Sequence, residues 1–271
     1  MKIQNIKLKI TAQIIFVIIF FFTSPVKSLD KFNKAERVSD YFSGILLLND
    51  NKYNDSLNYF KKLNGLETSH INYSVKYLYS LVNSGNLREA FKYSKKLEKQ
   101  KLDSFESHLI SGIYYLKNSK KDLAQKHFLK AKKRSSSFIL NDYVSNSLFN
   151  WSNLSDLNQS LIELKKLGQR FENLKKIQKA FLHCYFDSLS TEKLYTEILS
   201  NQETDFSRYN YFFASYFVST GRINKAKEVV TNALELYPRN LLLNQYKIDL
   251  NAKKNILKFD CKKEQHVVAE I

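Results

Sequence analysis

The sequence is short of the residues that make tight turns and covalent frameworks. Six glycines and two prolines in 271 residues are too few for an all-β sandwich or a glycine-rich nucleotide fold, whose reversals depend on them. Two cysteines exclude a small disulfide-framed fold and a multi-cysteine zinc module. No glycine-rich phosphate loop, H-E-x-x-H or G-x-S-x-G run occurs, so no catalytic residue, metal ligand or cofactor is expected. What the chain does have is apolar matter. Hydrophobic residues make up 44% and aromatic residues 14%, enough for a large core and too much for a disordered chain.

Lys and Arg number 43 against 26 Asp and Glu, a balance of +17. The first 28 residues hold Lys2, Lys7, Lys9 and Lys27 and no acid, so the remainder carries thirty-nine basic against twenty-six acidic residues, or +13. The basic residues are spread along the chain, which reads as solvated lysine faces and leaves association with an anionic membrane surface open. Residues 1–9 are positively charged, and the run from Ile10 to Phe22 is apolar apart from Thr11 and Gln13. Thr23-Ser24-Pro25-Val26-Lys27-Ser28 follows. This is the three-part pattern of a secretory signal, 1–28, with Val26 and Ser28 suited to the positions three and one before a cut. The apolar run is shorter than the roughly 20 residues of a spanning helix, and an uncleaved anchor is the alternative. Export to a bacterial periplasm is therefore expected, and with it no nucleic-acid partner. Residues 29–36 read as a lead-in.

A period runs through the rest. Gly44 and Gly112 lie 68 residues apart, and Gly85 and Gly221 lie 136 apart, both multiples of 34. Blocks of 34 residues from Arg37, Ile71, Phe105, Ile139, Asn173 and Ser207 align without insertion. Block position 8 reads Gly44, Leu78, Gly112, Asn146, Ala180, Ala214, and position 15 reads Asn51, Gly85, Ser119, Asn153, Asp187, Gly221, which is turn chemistry throughout. Position 20 reads Ser56, Ala90, Ala124, Asn158, Glu192, Ala226, and position 24 reads Phe60, Ser94, Phe128, Ile162, Thr196, Val230. The first half of each block has helical apolar spacing, as in Leu109, Ile113 and Leu116. The turn at position 15 ends that helix, and the second half is another. Small residues at 8 and 20 let two helix axes approach closely. A lone hairpin cannot bury both faces, so consecutive hairpins stack. The spacing predicts hairpins near 37–66, 71–101, 105–134, 138–168, 173–201 and 206–237.

These blocks resemble tetratricopeptide repeats. The third carries Gly112, Tyr115, Ala124, Phe128 and Ala131; the sixth carries Ala214, Phe217, Gly221, Ala226, Ala233 and Pro238. The fourth and fifth depart, with Asn158 and Glu192 at position 20 and Lys165 at position 27. The resemblance covers 37–240 and implies an all-α, right-handed superhelical solenoid of antiparallel helix–turn–helix repeats that binds protein or peptide partners without catalysis. It also implies that positions 2, 5, 9, 12 and 13 of the first helices line a concave groove. Those positions include Leu109, Ile113, Lys117, Phe181 and Arg208, and the peptide-groove residues expected are Tyr79, Asn83, Tyr143, Asn150, Trp151, Tyr185 and Tyr211. The family's carboxylate clamp needs Lys and Asn at positions 5 and 9 of the first repeat, where this chain has Tyr41 and Ile45. The alternative reading is a helical arm of a larger enzyme or envelope-assembly factor.

Outside the repeats' packing positions little chemistry is left. His183, Cys184 and Asp187 are neighbours, but two ligands on one helix face do not make a metal site, and Cys184 points elsewhere. His108 and His127 fall in the two helices of the third block and read as interhelical or surface residues. Cys184 and Cys261 could pair in an oxidising compartment, although nothing in their spacing requires it. After Pro238, residues 241–271 read as a seventh, partial repeat: one first-type helix, a break at Lys253–Lys263, and a short apolar helix from Glu264. A helix that short needs packing to persist. The expectation is that a further hairpin or a partner covers it, and that the repeat is truncated.

Overall fold

The computed structural model describes residues 25–135, 139–201, 206–252, 256 and 259–271, with backbone alone for 25–33 and 139. Residues 1–24 of the expected signal lie outside the described residues. The described secondary structure is all helical, and the chain divides into two compact units at Leu102 and Asp103. Among the described residues no helix is long and apolar enough to cross a membrane.

The first unit holds α1 (Pro25–Asn49), α2 (Tyr53–Phe60), α3 (Ile71–Asn83) and α4 (Leu87–Lys99), with short 3-10 turns at Lys61–Leu63 and Leu66–Thr68. Residues 29–36, expected as a lead-in, are continuous with α1. The second unit holds α5 (Phe105–Lys117), α6 (Lys121–Arg134), α7 (Ile139–Ser152), α8 (Leu157–Lys165), α9 (Glu172–Tyr185), α10 (Thr191–Leu199), α11 (Ser207–Ser219) and α12 (Ile223–Leu236). It ends with α13 (Leu241–Ala252) and α14 (Glu264–Glu270). Odd-numbered helices are the first helices of successive hairpins and even-numbered ones the second, up to α12.

Block position 15 is where the first helix stops, for one physical reason. Asn51, Ser119 and Asp187 have φ of 59°, 59° and 54°, and Gly85 and Gly221 have 77°. In each case the next residue's N–H donates to the position-11 carbonyl, as Lys52 to Leu47 at 2.8 Å, Asn86 to Leu81 at 2.8 Å and Arg222 to Phe217 at 2.8 Å. This left-handed cap satisfies carbonyls the helix end leaves open. Asn153 is the exception. It lacks a positive φ, and the chain runs on to Asp156, whose Oδ1 accepts the Gln159 N–H at 2.8 Å to start α8.

The small residues at position 8 answer the large ones at position 24. A Cβ on Gly44 would sit 2.6 Å from the Phe60 ring, and one on Gly112 would sit 2.3 Å from the Phe128 ring. Both rings are fully buried. Second helices, the first with its following 3-10 turn, bury a triplet spaced i, i+4, i+7: Ser56, Phe60 and Leu63; Ala90, Ser94 and Leu97; Ala124, Phe128 and Ala131; Ala226, Val230 and Ala233.

The uninterrupted grid needs correcting in the fourth and fifth blocks. There the buried triplets are Ser160, Leu164 and Leu167, two residues late, and Thr191, Tyr195 and Ile198, one residue early. The non-helical stretch 154–156, with Asp156 extended, accounts for the first slip. In the fifth block the Thr191 N–H and hydroxyl both donate to the Ser188 carbonyl, at 3.1 and 2.7 Å, which closes the turn early. Asn158 is left exposed. Glu192 ion-pairs with Arg222, which precedes α12, and with Lys225 on α12 at 2.7 Å.

Candidate functional site

The expected groove residues divide between the units. In the first, Tyr79 is half exposed at 52%, with its ring edge-on to Tyr53 at 6.2 Å. Asn83 is exposed and spends its Nδ2 on the Tyr79 carbonyl at 2.8 Å. On α1, Val38, Phe42 and Leu46 form an exposed apolar stripe at four-residue spacing.

In the second unit Tyr143, Asn150 and Trp151 are interior. Trp151 is wholly enclosed and its Nε1 donates to Gln178 Oε1 at 3.1 Å. Gln178 Nε2 in turn donates to Tyr143 Oη at 2.6 Å and Ser147 Oγ at 2.9 Å. This one buried amide ties α7 to α9. Burial pushes the Tyr143 phenol above its ordinary pKa. Asn150 Nδ2 reaches the Ser160 carbonyl at 3.2 Å across the hairpin. As surface contacts these three residues are corrected: Gln178 of the following hairpin bonds Tyr143 and Trp151, and Asn150 is buried against α8 of its own hairpin. Tyr211 is also buried, edge-on to Tyr246 at 5.0 Å.

Tyr185 meets something else. Its hydroxyl donates to Glu264 Oε1 at 2.8 Å. Burial, then the Glu264 bond, pushes its pKa up to about 12. Lys121 Nζ reaches the same carboxylate oxygen at 2.6 Å. Arg208 holds Glu270 bidentately, at 2.6 and 2.7 Å. The Phe259 ring lies 4.8 Å from Phe181 and 4.6 Å from Phe212. Lys262 pairs with Asp187 at 2.7 Å, and Cys261 is disulfide-bonded to Cys184 of α9. Helix α14 also lies against α5 and α7. The segment 259–271 is thus seated on the first helices α5, α7, α9 and α11, and it touches the expected groove positions Phe181, Tyr185 and Arg208.

Glu264, Val267, Val268 and Ile271 fall on one helical face, and Val267 is fully buried. The apolar turn expected to stand open is therefore enclosed by this same unit. Seven residues cannot hold a helix alone, so the seat supplies the order. Sequence reasoning missed Glu264, Glu270 and Phe259, because they lie where the period breaks. The one available signal was the amphipathic spacing from Glu264 to Ile271.

The histidines are structural neighbours. His108 and His127 are buried between α5 and α6, Nδ1 to Nδ1 at 3.1 Å, and His108 Nε2 lies 2.9 Å from Asp103 Oδ2. A carboxylate only accepts, so the His108 Nε2–H donates to Asp103. His183 bonds Ser188 Oγ through Nδ1 at 2.9 Å.

No protein-family model matches the chain, and no curated protein matches it. Among solved structures it is similar to a thermophilic TPR (tetratricopeptide-repeat) protein of Thermus thermophilus. That likeness has 14% identity and a TM-score of 0.36, and it covers 80% of this chain and 99% of that one.

Proposed function

We propose that this protein is a non-catalytic scaffold that binds protein segments on the faces of its first helices, in the periplasm, after cleavage of the signal 1–28 at Ser28. The observation that carries the reading is the seat of α14. Helices α5, α7, α9 and α11, with Lys121 at the start of α6, already hold the segment 259–271 by aromatic, apolar and ionic contacts together, the combination found where helices dock in grooves. Two features support export. The N-terminus has the basic, apolar and small-residue order of a secretory signal, and the Cys184–Cys261 bond suits an oxidising compartment. The spread of lysines supports weak attraction to an anionic membrane surface as an accessory.

Photo-crosslinking in cells tests the reading. A photoreactive residue at Tyr79 or Lys117, both on first helices, is expected to give a discrete adduct with one protein, and the same residue at Lys132 on α6 to give none. Equal adducts at all three positions, or none anywhere, overturn the scaffold reading. Recovery of a mature chain beginning at Leu29 checks the export step, and a chain still carrying residues 1–28 refutes it.

A further inference from the structure

The seat of α14 is a complete recognition site whose occupant is part of the same chain. Its three features are separately addressed: an aromatic socket of Phe181 and Phe212 for Phe259, a Lys121–Tyr185 pair for Glu264, and a bidentate guanidinium of Arg208 for Glu270. The occupant is tied by the peptide chain through 253–258 and by the Cys184–Cys261 bond. Asp187 pairs with Lys262 beside that bond. Apart from the disulfide, every one of these contacts could be made by a separate peptide.

We propose, resting on the scaffold reading above, that the tail is a built-in competitor. Reduction of Cys184–Cys261 by a dithiol opens the seat to an acidic amphipathic helix of a partner. That partner segment carries an aromatic residue ahead of its helix, followed five and eleven residues later by carboxylates on the helix, as Phe259, Glu264 and Glu270 do. The cationic seat, Lys121 and Arg208, selects acidic helices and repels basic ones. The exchange is balanced. One thiolate of the reductant attacks a sulfur of the Cys184–Cys261 bond, and its second thiol displaces the mixed disulfide. Two protein thiols are left, and the reductant becomes a disulfide, having given up two electrons and two protons.

With the bond intact the tail has two covalent ties, the peptide chain and Cys261, both ahead of α14. A tail held only by a short linker still presents itself at about millimolar effective concentration. Reduction therefore weakens the competitor without abolishing it, and the gain for an incoming peptide is a factor of about ten or more.

The test uses the full chain and a fluorescein-labelled peptide of residues 256–271 bearing Cys261→Ser. Anisotropy titrations compare the oxidised protein, the protein reduced with dithiothreitol, and the C184S/C261S variant. Amide exchange on the same three samples reports whether 264–270 loosen while α11 stays protected. The expected result is at least about tenfold tighter binding to the reduced and C184S/C261S forms than to the oxidised form. A peptide carrying Glu264→Lys and Glu270→Lys should not bind, and exchange should rise only at 264–270. Equal affinity in both redox states removes the gate and leaves the scaffold standing. No binding in any state, with 264–270 protected after reduction, makes the tail a fixed part of the fold and removes both the gate and the seat as a partner site. Loss of protection in α11 together with the tail identifies the bond as a structural staple and overturns the gate.

Discussion

Gly112→Ala sets two well-understood effects against each other. In an exposed helix interior the change stabilises by about 1 kcal/mol, because alanine loses less backbone freedom than glycine. Here the new Cβ would lie 2.3, 2.6 and 2.9 Å from three atoms of the Phe128 ring. Carbon atoms pack at about 3.5–4.0 Å, so the ring must move by about 1 Å. It is fully buried between the fully buried Ala124 and Ala131 and has no free side to move toward. Overpacking of this kind costs about 1–3 kcal/mol, at least as much as the propensity gained. The net expectation is destabilisation by about 1 kcal/mol, within a range of about 0–2, seen as a lower urea midpoint with unchanged slope. Phe128→Ser removes the ring, and the second repeat already uses that arrangement, with Leu78 at position 8 and Ser94 at position 24, both buried. The double variant should therefore recover part of the loss, with a coupling of about 1 kcal/mol or more between the two sites. Stabilisation by Gly112→Ala, or additive effects in the cycle, would refute the pairing of positions 8 and 24.

The same packing makes Ala124→Leu costly by about 1–3 kcal/mol, whereas Lys132→Ala or Lys133→Ala on the exposed face of α6 should stay within about 0.5 kcal/mol; equal melting shifts would remove the register. Ser119 is held at a positive φ of 59°, so Ser119→Gly should stabilise by up to about 1 kcal/mol, and a loss on thermal melting would count against the left-handed cap. His183 has its pKa held below the ordinary value, first by burial and then by the Lys179 charge, and its Nε2 is buried with no partner among the described residues. The unfolded chain therefore takes up this proton more readily than the folded one, so His183 costs stability as pH falls below about 6.5 and nothing above about 7.5. His183→Leu, the residue at position 11 in Leu47 and Leu81, should lose less melting temperature between pH 7.5 and 5.5 than the parent; parallel losses would refute the assignment.

The repeating architecture was legible because the chain writes one contact several times. Gly44 and Gly112 stand opposite Phe60 and Phe128, and Asn51, Gly85, Ser119, Asp187 and Gly221 all take the left-handed turn. The slips at Ser160 and Thr191 were not legible, since adding or dropping a residue in a polar turn leaves composition unchanged. Trp151 shows another limit. Block position names the helix face a residue belongs to, but not whether the next hairpin covers it, and Gln178, which seals Trp151 inside, has no signature of its own. Cys184 and Cys261, 77 residues apart, become partners only once the chain has folded back on itself. The tail reads as an unfinished repeat in the sequence because the period stops at Lys253, and its fit to Arg208 and Lys121 exists only in three dimensions.

A charge swap across the tail tests the central claim, that the first helices of the second unit form a seat holding a helical segment by specific contacts. Amide exchange is measured at 264–270 in Arg208→Glu, in Glu270→Arg and in the double variant, with the disulfide intact. The Arg208 side chain is 57% exposed, so its pairing counts for about 0.2–1 kcal/mol, and facing like charges add a similar penalty. Each single variant should exchange several-fold faster, about fivefold, and the double variant should return to the parent rate. Unchanged exchange in the single variants, or a double variant as loose as either single, would contradict the seat.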